Sequence, residues 1–442
     1  MNKNVLMVCY YYPPLTDVGC KRSVAFSKYL KKHGWNPYVL SVKNPDRAYC
    51  SLGNDEPPPG IPVEYTYSIV NVYKILGKAN GLLSRILRLF GAKPKRNYFY
   101  DVFCIPDYFW GWIPLSIVKG YGIIKKYNVD IIYISCTPFS SGITGVILKK
   151  ITKKPLVIDF RDIFALEVKG LEKVYGGPRF RKRIDQWIAN QILDNADIFI
   201  VVTEEMKELY LKQYPQIQDK IFTVYNGFDS DNSLSGERRV KYPKFTITYA
   251  GDFYSYASES EVFFEALALL KKNERISKDD FQFLFYGDGK DEISVRAGKH
   301  AIEDLVEANN RVPYQEMINV IAQSHLQLLR VLKLAVPTKI SDGIATNVPF
   351  LATIPHGEAE SIIKRYSPSS YIITEESSEK VAEAILDAIN KYKKNRIEDN
   401  KVGFFLEKFS RENLTLKLME IIEERLGGNG SKQKQEKLES SP

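Results

Sequence analysis

The chain opens with the run VLMVCYYYPP, residues 5–14, and this stretch decides the expected fold. Its first six residues are all apolar, as in a strand that is buried on both faces of a parallel sheet. Pro13 and Pro14 end that strand. A helical pattern over 23–32 follows and stops at Gly34, a C-cap signal, before a second predicted strand at 36–41. A strand, a helix and a strand at this spacing predict a parallel βαβ unit.

The same alternation continues along the chain. Further strands are predicted over 130–134, 155–158, 197–202 and 221–224, with helices over 181–195 and 204–213. After a polar stretch, strands are predicted over 245–250, 281–286, 326–332 and 349–353, with a helix over 259–272. The pattern predicts an α/β protein with two facing Rossmann-like, doubly wound domains and a cleft between them. Their predicted bounds are 1–229 and 244–404, joined by a linker over 230–243, and a disordered tail is expected over 427–442.

The positive charge of the chain is unevenly distributed. It has 62 Lys and Arg against 53 Asp and Glu, a net charge of +9. Residues 1–230 hold 32 basic and 20 acidic residues, whereas residues 231–442 hold 30 and 33. A basic segment over 71–100 lacks acids and carries Lys74, Lys78, Arg85, Arg88, Lys93, Lys95 and Arg96. Apolar residues recur there at helical spacing, which favours a helix on an anionic membrane surface over an ordinary surface helix docked on the domain.

Several other classes of protein are not expected. No apolar run approaches the ~18 residues of a spanning helix, and the five cysteines and four histidines are dispersed, so neither a metal site nor a disulfide framework is predicted. The chain lacks both a dinucleotide-binding glycine motif after a strand and a P-loop. Nucleic acid is not an expected partner, because no matching motif accompanies the basic segment. A cytoplasmic protein at the inner face of the membrane is expected.

The first domain offers two groups of candidate site residues. Gly19 and Arg22 follow the first strand, at the edge where doubly wound sheets bind ligands, so they are predicted to line the cleft. Asp159, Arg161 and Asp162 end another apolar strand. Asp162 is predicted to act as an acid or orienting group with Arg161, while Asp159 fits a structural ion pair better.

The aromatic-rich stretch 105–112 offers two more candidates. Asp107 and Trp110 are predicted to form a hydrogen-bonding and stacking surface for an acceptor sugar, with core packing as the alternative.

The second domain offers a candidate anion site. Pro337 and Thr338 are predicted to begin a helix whose N–H groups and dipole face a phosphate. Lys339 adds positive charge, and Asp342 is one turn further on, where it can accept hydrogen bonds from sugar hydroxyls. The further candidates of this donor site are Arg330, Lys333, Gly251 and Gly287.

Taken in order, these motifs resemble a bacterial GT-B glycosyltransferase of family four. The matching stretches are 11–14 with Gly19 and Arg22, 105–107 with Trp110 or Trp112, 159–162, 224–229, 249–251, 337–339 and 347–349. The D-F-R-D motif at 159–162 is similar to that of a subgroup that builds capsule, O-antigen or exopolysaccharide. The chain departs from the family signature in having Leu334 and Asp342 where two glutamates are usual.

The resemblance implies a metal-independent, retaining, hexosyltransferase-like enzyme that needs no cofactor and takes a nucleoside-diphosphate-sugar as co-substrate. It implies that the first domain binds the acceptor, a glycan that is expected to be lipid-linked, and that the second binds the nucleotide-sugar. It also implies a final helix, 405–426, that crosses back to the first domain. The alternatives are a nucleotide-sugar epimerase or phosphorylase of the same fold, or a non-catalytic glycan-assembly protein.

Overall fold

A computed structural model describes residues 3–46, 50, 52–53, 55–72, 75–76, 85, 98–168, 178–229, 240–251, 261–331 and 336–439. The chain divides into two compact units, which we call the first unit (Met1–Tyr225 and Leu414–Pro442) and the second unit (Asn226–Asn413). It therefore passes from one unit to the other twice. Residues 230–239 of the predicted linker lie outside the described residues.

The first unit contains a parallel sheet. Its strands are β1 (Asn4–Cys9), β2 (Asn36–Val42), β3 (Val63–Thr66), β4 (Ile131–Cys136), β5 (Leu156–Phe160), β6 (Ile198–Val201) and β7 (Ile221–Thr223). They lie in the order β3-β2-β1-β4-β5-β6-β7. The order reverses between β1 and β4, so the loops after these two strands flank the position where doubly wound sheets bind ligands.

Helices connect these strands. They are α1 (Val18–Lys32), α2 (Tyr98–Phe103), α3 (Ile113–Lys126), α4 (Ser140–Thr152), α5 (Arg179–Asn195) and α6 (Glu204–Gln213). The six residues of β4 are all buried, and so are the five of β5, because helices cover both faces of a parallel sheet.

The second unit repeats the architecture. Its strands are β8 (Phe245–Ala250), β9 (Phe281–Tyr286), β10 (Val306–Asn309), β11 (Leu326–Arg330), β12 (Phe350–Thr353) and β13 (Tyr371–Ile373). Their order is β10-β9-β8-β11-β12-β13, with the reversal between β8 and β11. Its helices are α7 (Val262–Lys272), α8 (Lys290–Lys299), α9 (Tyr314–Gln323), α10 (Thr338–Ala345), α11 (Glu358–Tyr366), α12 (Ser378–Lys393) and α13 (Val402–Phe409). The predicted fold class of two Rossmann-like doubly wound domains is confirmed.

The C-terminal region is divided between the two units. Residues 405–413 stay with the second unit, because Phe405 and Phe409 pack their rings against Tyr366. The last helix, α14 (Arg411–Glu439), then supplies apolar side chains such as Leu414 and Leu418 to the core of the first unit.

Helix α14 extends to Glu439, and the predicted disorder of the tail over 427–442 stays a prediction. The helix continues past Gly427, Gly428 and Gly430 because the following residues, KQKQEKLE at 432–439, are good helix formers.

The basic segment over 71–100 is described only in part. Arg85 is helical and exposed, whereas Lys74, Lys78, Arg88, Lys93, Lys95 and Arg96 lie outside the described residues. Val72 and Leu76 at its start are buried against Cys104. Over the described part of the chain, no helix combines the length and the low polarity that a bilayer crossing requires.

Candidate active site

A buried ion pair holds the carboxyl edge of the first unit together. Asp159, at the end of β5, is fully buried, and the Arg22 guanidinium meets it with two hydrogen bonds, Nε–Oδ2 at 2.7 Å and Nη2–Oδ1 at 2.9 Å. The hydroxyl of Tyr133 donates to the same carboxylate. Burial by itself would lower the pKa of Arg22, but the charge of Asp159 raises it above the ordinary value. Asp159 and Arg22 are therefore direct partners inside the fold.

Arg22, which was predicted to line a cleft, is buried within the first unit. Its side chain is only 4% exposed, and its remaining terminal nitrogen donates to the carbonyl of Tyr225 at 2.5 Å. Tyr225 is the last residue of the first unit before the chain enters the second. Arg22 points inward because a buried carboxylate needs a charged, hydrogen-bonded partner. Arg22 therefore holds Tyr225, at the point where the chain leaves the first unit.

Arg161 connects two loops at the same edge. Its guanidinium donates to the carbonyl of Gly19, in the first turn of α1, and to that of Thr137, in the loop after β4, at 2.6 Å. A side chain on Gly19 would lie 3.1 Å from this guanidinium, so the glycine allows the close approach. Arg161 thus acts as a positioning residue for the loops at the switch point.

Asp162 is exposed beside this clamp. Its carboxylate accepts a hydrogen bond from the hydroxyl of Thr137 at 2.5 Å. An exposed carboxylate that is held by one hydroxyl keeps other lone pairs free to accept from a substrate. Of the two residues predicted as catalytic, Asp162 is the one with an accessible reactive group.

Asp107 and Trp110 bind nearby backbone groups. Asp107 accepts from the N–H groups of Phe109, at 2.9 Å, and Ser140, at 2.8 Å, and burial raises the pKa of its carboxyl. The indole N–H of Trp110 donates to the carbonyl of Phe103 at 2.7 Å, while 36% of the residue stays exposed. Asp107 therefore fixes loop geometry, and Trp110 retains an exposed surface.

In the second unit two glycines bring the ends of β8 and β9 together. A Cβ on Gly287 would lie 2.1 Å from the carbonyl oxygen of Gly251. Gly251 itself has φ of +112°, a conformation that side chains disfavour. The two glycines therefore allow the ends of β8 and β9 to approach each other closely.

Lys339 lies directly against this glycine turn. A Cβ on Gly251 would be 2.8 Å from its Nζ. The ammonium donates to the hydroxyl of Tyr249 at 3.2 Å and sits 4.3 Å from the centre of that ring. Lys339 belongs to the first turn of α10, whose N-cap residue Pro337 makes no side-chain cap. The first turn of a helix has unpaired N–H groups, so charge and donors coincide here.

The other predicted donor-site residues surround α10. Thr338 begins the helix, and Asp342 accepts from the hydroxyl of Tyr314 at 2.7 Å. Arg330 ends β11, and burial lowers the pKa of its guanidinium. Lys333 lies outside the described residues.

Sequence reasoning missed four partners of these residues: Tyr133, Thr137, Tyr249 and Tyr314. Tyr133 and Tyr249 left a usable signal, because each lies in a wholly buried strand, where a hydroxyl must find a partner. Tyr314 and Thr137 left none, because Tyr314 begins α9 and Thr137 follows β4, and a hydroxyl outside a buried strand need not have a protein partner.

Replacing Gly287 with alanine tests the close approach of the two strand ends. We expect a loss of about 2 kcal/mol of unfolding free energy, since the new methyl group overlaps the Gly251 carbonyl. Urea denaturation measures it. Gly403→Ala is the matched control, because a Cβ there meets nothing within 4 Å and the helix gains stability. Equal stability of both variants would contradict the description of the turn.

Within the described residues, no group of three or more His, Cys, Asp or Glu side chains is arranged to hold a metal ion. The first unit therefore presents an exposed carboxylate beside clamped loops. The second unit presents a lysine and a helix N-terminus beside a glycine turn, an arrangement suited to an anion.

Two protein-family models match the chain, one on each side of the predicted linker. Residues 23–232 match the model of Glycosyltransferase Family 4, and residues 244–391 match that of Glycosyl transferases group 1. A comparison with curated protein sequences found no match.

Solved structures share the fold over nearly the whole chain. A glycosyltransferase from Rickettsia africae ESF-5 is 17% identical, with a TM-score of 0.60 over 96% of this chain and 99% of that one. Anabaena Alr3699/HepE in complex with UDP-glucose is 13% identical, with a TM-score of 0.61 over 95% of this chain and 99% of that one. Sucrose-phosphate synthase from Thermosynechococcus elongatus is 14% identical, with 0.64 over 97% and 100%. At these identities the likeness shows the GT-B fold. With two glycosyltransferase family models matched in tandem on that fold, the chain is a family-4-like glycosyltransferase.

Proposed function

We propose that this protein transfers a sugar, of the hexose type, from a nucleoside diphosphate to a lipid-linked glycan acceptor. The observation that carries the proposal is the position of Lys339, whose ammonium lies in the first turn of α10 and against the Gly251 turn. A diphosphate needs positive charge and N–H donors in one place, and this location supplies both. UDP-glucose in the related HepE structure is a donor of the same class.

In the proposed reaction the bond between the anomeric carbon and the diphosphate oxygen breaks, and an acceptor hydroxyl oxygen bonds to that carbon. Negative charge accumulates on the leaving diphosphate, where Lys339 and the N–H groups of Thr338 and Lys339 stabilise it. Arg330 adds a second positive charge near the end of β11. Asp342, which Tyr314 holds by its hydroxyl, accepts from a donor hydroxyl. Lys339 and Arg330 supply the positive charge that a metal ion would otherwise bring to the leaving diphosphate, so the transfer is proposed to be metal-independent.

Asp162 is proposed to orient the acceptor hydroxyl or take up its proton. Its exposed carboxylate, held by Thr137 at 2.5 Å, supports this role. The Arg161 clamp on the Gly19 and Thr137 carbonyls keeps the surrounding loops in position. The family resemblance implies retention of the anomeric configuration, so the acceptor hydroxyl is proposed to approach the anomeric carbon from the face that the diphosphate leaves.

Asp162→Asn tests that assignment. We expect kcat to fall about 100-fold or more, with the KM for the donor unchanged, because the amide keeps its contact with Thr137 but cannot take up a proton. Initial rates of transfer measure both constants. Asp219→Asn, a carboxylate far along the chain beside β7, is the control and should behave as wild type. A wild-type rate in Asp162→Asn would remove Asp162 from the mechanism.

The basic segment over 71–100 supports a location at the inner face of the bacterial membrane, where capsule, O-antigen or related glycans are built on lipid carriers. Its seven cations and absence of acids suit an anionic lipid surface. Co-sedimentation with anionic vesicles at low and high salt tests it: salt-independent binding, or none, would exclude this electrostatic attachment.

A further inference from the structure

Helix α5 carries an exposed apolar stripe that the proposed chemistry does not use. Phe180, Ile184 and Trp187 are 45%, 39% and 63% exposed. Spaced four and three residues apart, they lie on one face of the helix. The residues that attach α5 to the first unit are on another side and include Ile188, Ala189 and Ile192, which are buried. Three large apolar side chains in water on one helix face indicate an interaction surface.

The charges of α5 point to the chemistry of the partner. Its sequence begins RFRKR, residues 179–183, with no acid in the first turn. A helix N-terminus disfavours cations, because its dipole is positive at that end. Arg179 and Arg183 are exposed beside the stripe, while Lys182 pairs with Glu167 at 3.2 Å. Lys182 and Arg181 thus serve contacts within the fold, whereas Arg179 and Arg183 present exposed positive charge beside the stripe, which favours an anionic partner.

The stripe adjoins the end of the basic segment. Arg181 donates to the carbonyls of Tyr100, at 3.1 Å, and Cys104, at 2.8 Å, and so joins the start of α5 to α2. Val102 and Phe103, in α2, are themselves 53% and 52% exposed. The apolar surface thus extends from α5 to the segment that carries the excess positive charge of the chain.

We propose that the face of Phe180, Ile184 and Trp187, flanked by Arg179 and Arg183, inserts into the headgroup region of an anionic lipid bilayer. Apolar side chains with a tryptophan among them and cations at the margin are the composition of a helix that lies in a membrane interface. A protein partner would need acidic groups opposite the arginines. A bilayer offers negative headgroups and an apolar interior together. The inference deepens the proposed function and rests on it for the location of the acceptor.

The test uses the full chain and vesicles of phosphatidylcholine with 30% phosphatidylglycerol by design, roughly the charge of a bacterial membrane surface. The variant F180S/I184S/W187S removes the stripe, and serine has a helix propensity close to those of the residues it replaces. The control V295S/F404S removes two side chains of the second unit that are 72% and 70% exposed. We expect vesicle partitioning to fall at least ten-fold in the first variant only. The pair R179Q/R183Q should lose several-fold in affinity and part of its salt dependence.

Fluorescence gives a second readout. Trp35 and Trp112 are buried and Trp110 is 36% exposed, whereas Trp187 is 63% exposed on the stripe. Trp187 should therefore account for most of the quenching by brominated lipids, and W187F should lose that part while W110F keeps it. The inference is overturned if F180S/I184S/W187S partitions like wild type, or if wild type does not bind. It is also overturned if the stripe instead mediates self-association that the variant abolishes. Donor hydrolysis without vesicles is measured on the same samples. If wild type hydrolyses no donor, the proposed function is contradicted. If a variant that no longer binds vesicles still hydrolyses the donor, the result supports both the proposed function and the membrane inference.

Discussion

Lys339→Ala is expected to lower kcat/KM for the nucleotide-sugar by about 100- to 1,000-fold. The ammonium is the cation that lies against the Gly251 turn, with its Nζ 2.8 Å from where a Cβ on that glycine would be. Because charge on the diphosphate grows as the sugar leaves, most of the loss should appear in kcat. Affinity for the free nucleoside diphosphate should fall less. Steady-state kinetics and calorimetric titration separate the two effects.

Two variants sharpen this test. Lys339→Arg keeps the charge but changes the geometry of the donors, so part of the activity should return. Lys272→Ala removes an exposed lysine of the same unit at the end of α7 and should have no effect. If Lys339→Ala retains wild-type kinetics, the diphosphate is bound elsewhere and the assignment of the second unit fails.

Asp159→Ala is expected to lower the unfolding free energy by about 3–5 kcal/mol. The substitution leaves the Arg22 guanidinium, 4% exposed, without the carboxylate that compensates for its burial. It also leaves the Tyr133 hydroxyl without its acceptor. Urea denaturation followed by circular dichroism measures the change.

The double variant Arg22→Met with Asp159→Asn distinguishes the net contribution of the ion pair from the cost of leaving one buried charge without its partner. With no buried charge left and an amide still able to accept from Tyr133, it should recover most of the lost stability. Asp194→Ala, at an exposed position near the end of α5, should change stability by less than about 0.5 kcal/mol. A loss below about 1 kcal/mol in Asp159→Ala would show that the ion pair is dispensable.

The central strands were predictable because burial on both faces leaves continuous apolar runs. β8 and β9 begin and end at the predicted residues. β3, β10 and β13 were missed. Each lies at a sheet edge, has three or four residues and is mostly half-exposed, so it leaves neither a run nor an alternation.

The candidate site was predictable to the level of the loops. In each unit the parallel strands end at the same edge of their sheet, where such folds bind ligands. This rule places the residues after β5 at the binding edge of the first unit and those before α10 at the binding edge of the second. The direction of each side chain was not predictable. Arg22 and Asp162 are both charged residues near strand ends, yet one is buried by a partner 137 residues away and the other is exposed. Such pairing depends on tertiary packing, which cannot be predicted from the local sequence.

The most direct test is to incubate wild-type protein with pooled nucleoside-diphosphate-sugars and an excess of EDTA and to follow donor consumption by mass spectrometry. We predict that one donor is consumed, with release of the nucleoside diphosphate, and that Lys339→Ala slows this at least 100-fold. Consumption of no donor, with no binding of any, would contradict glycosyl transfer by this chain. Consumption that EDTA abolishes would contradict the proposal that Lys339 and the start of α10 do the work of a metal ion.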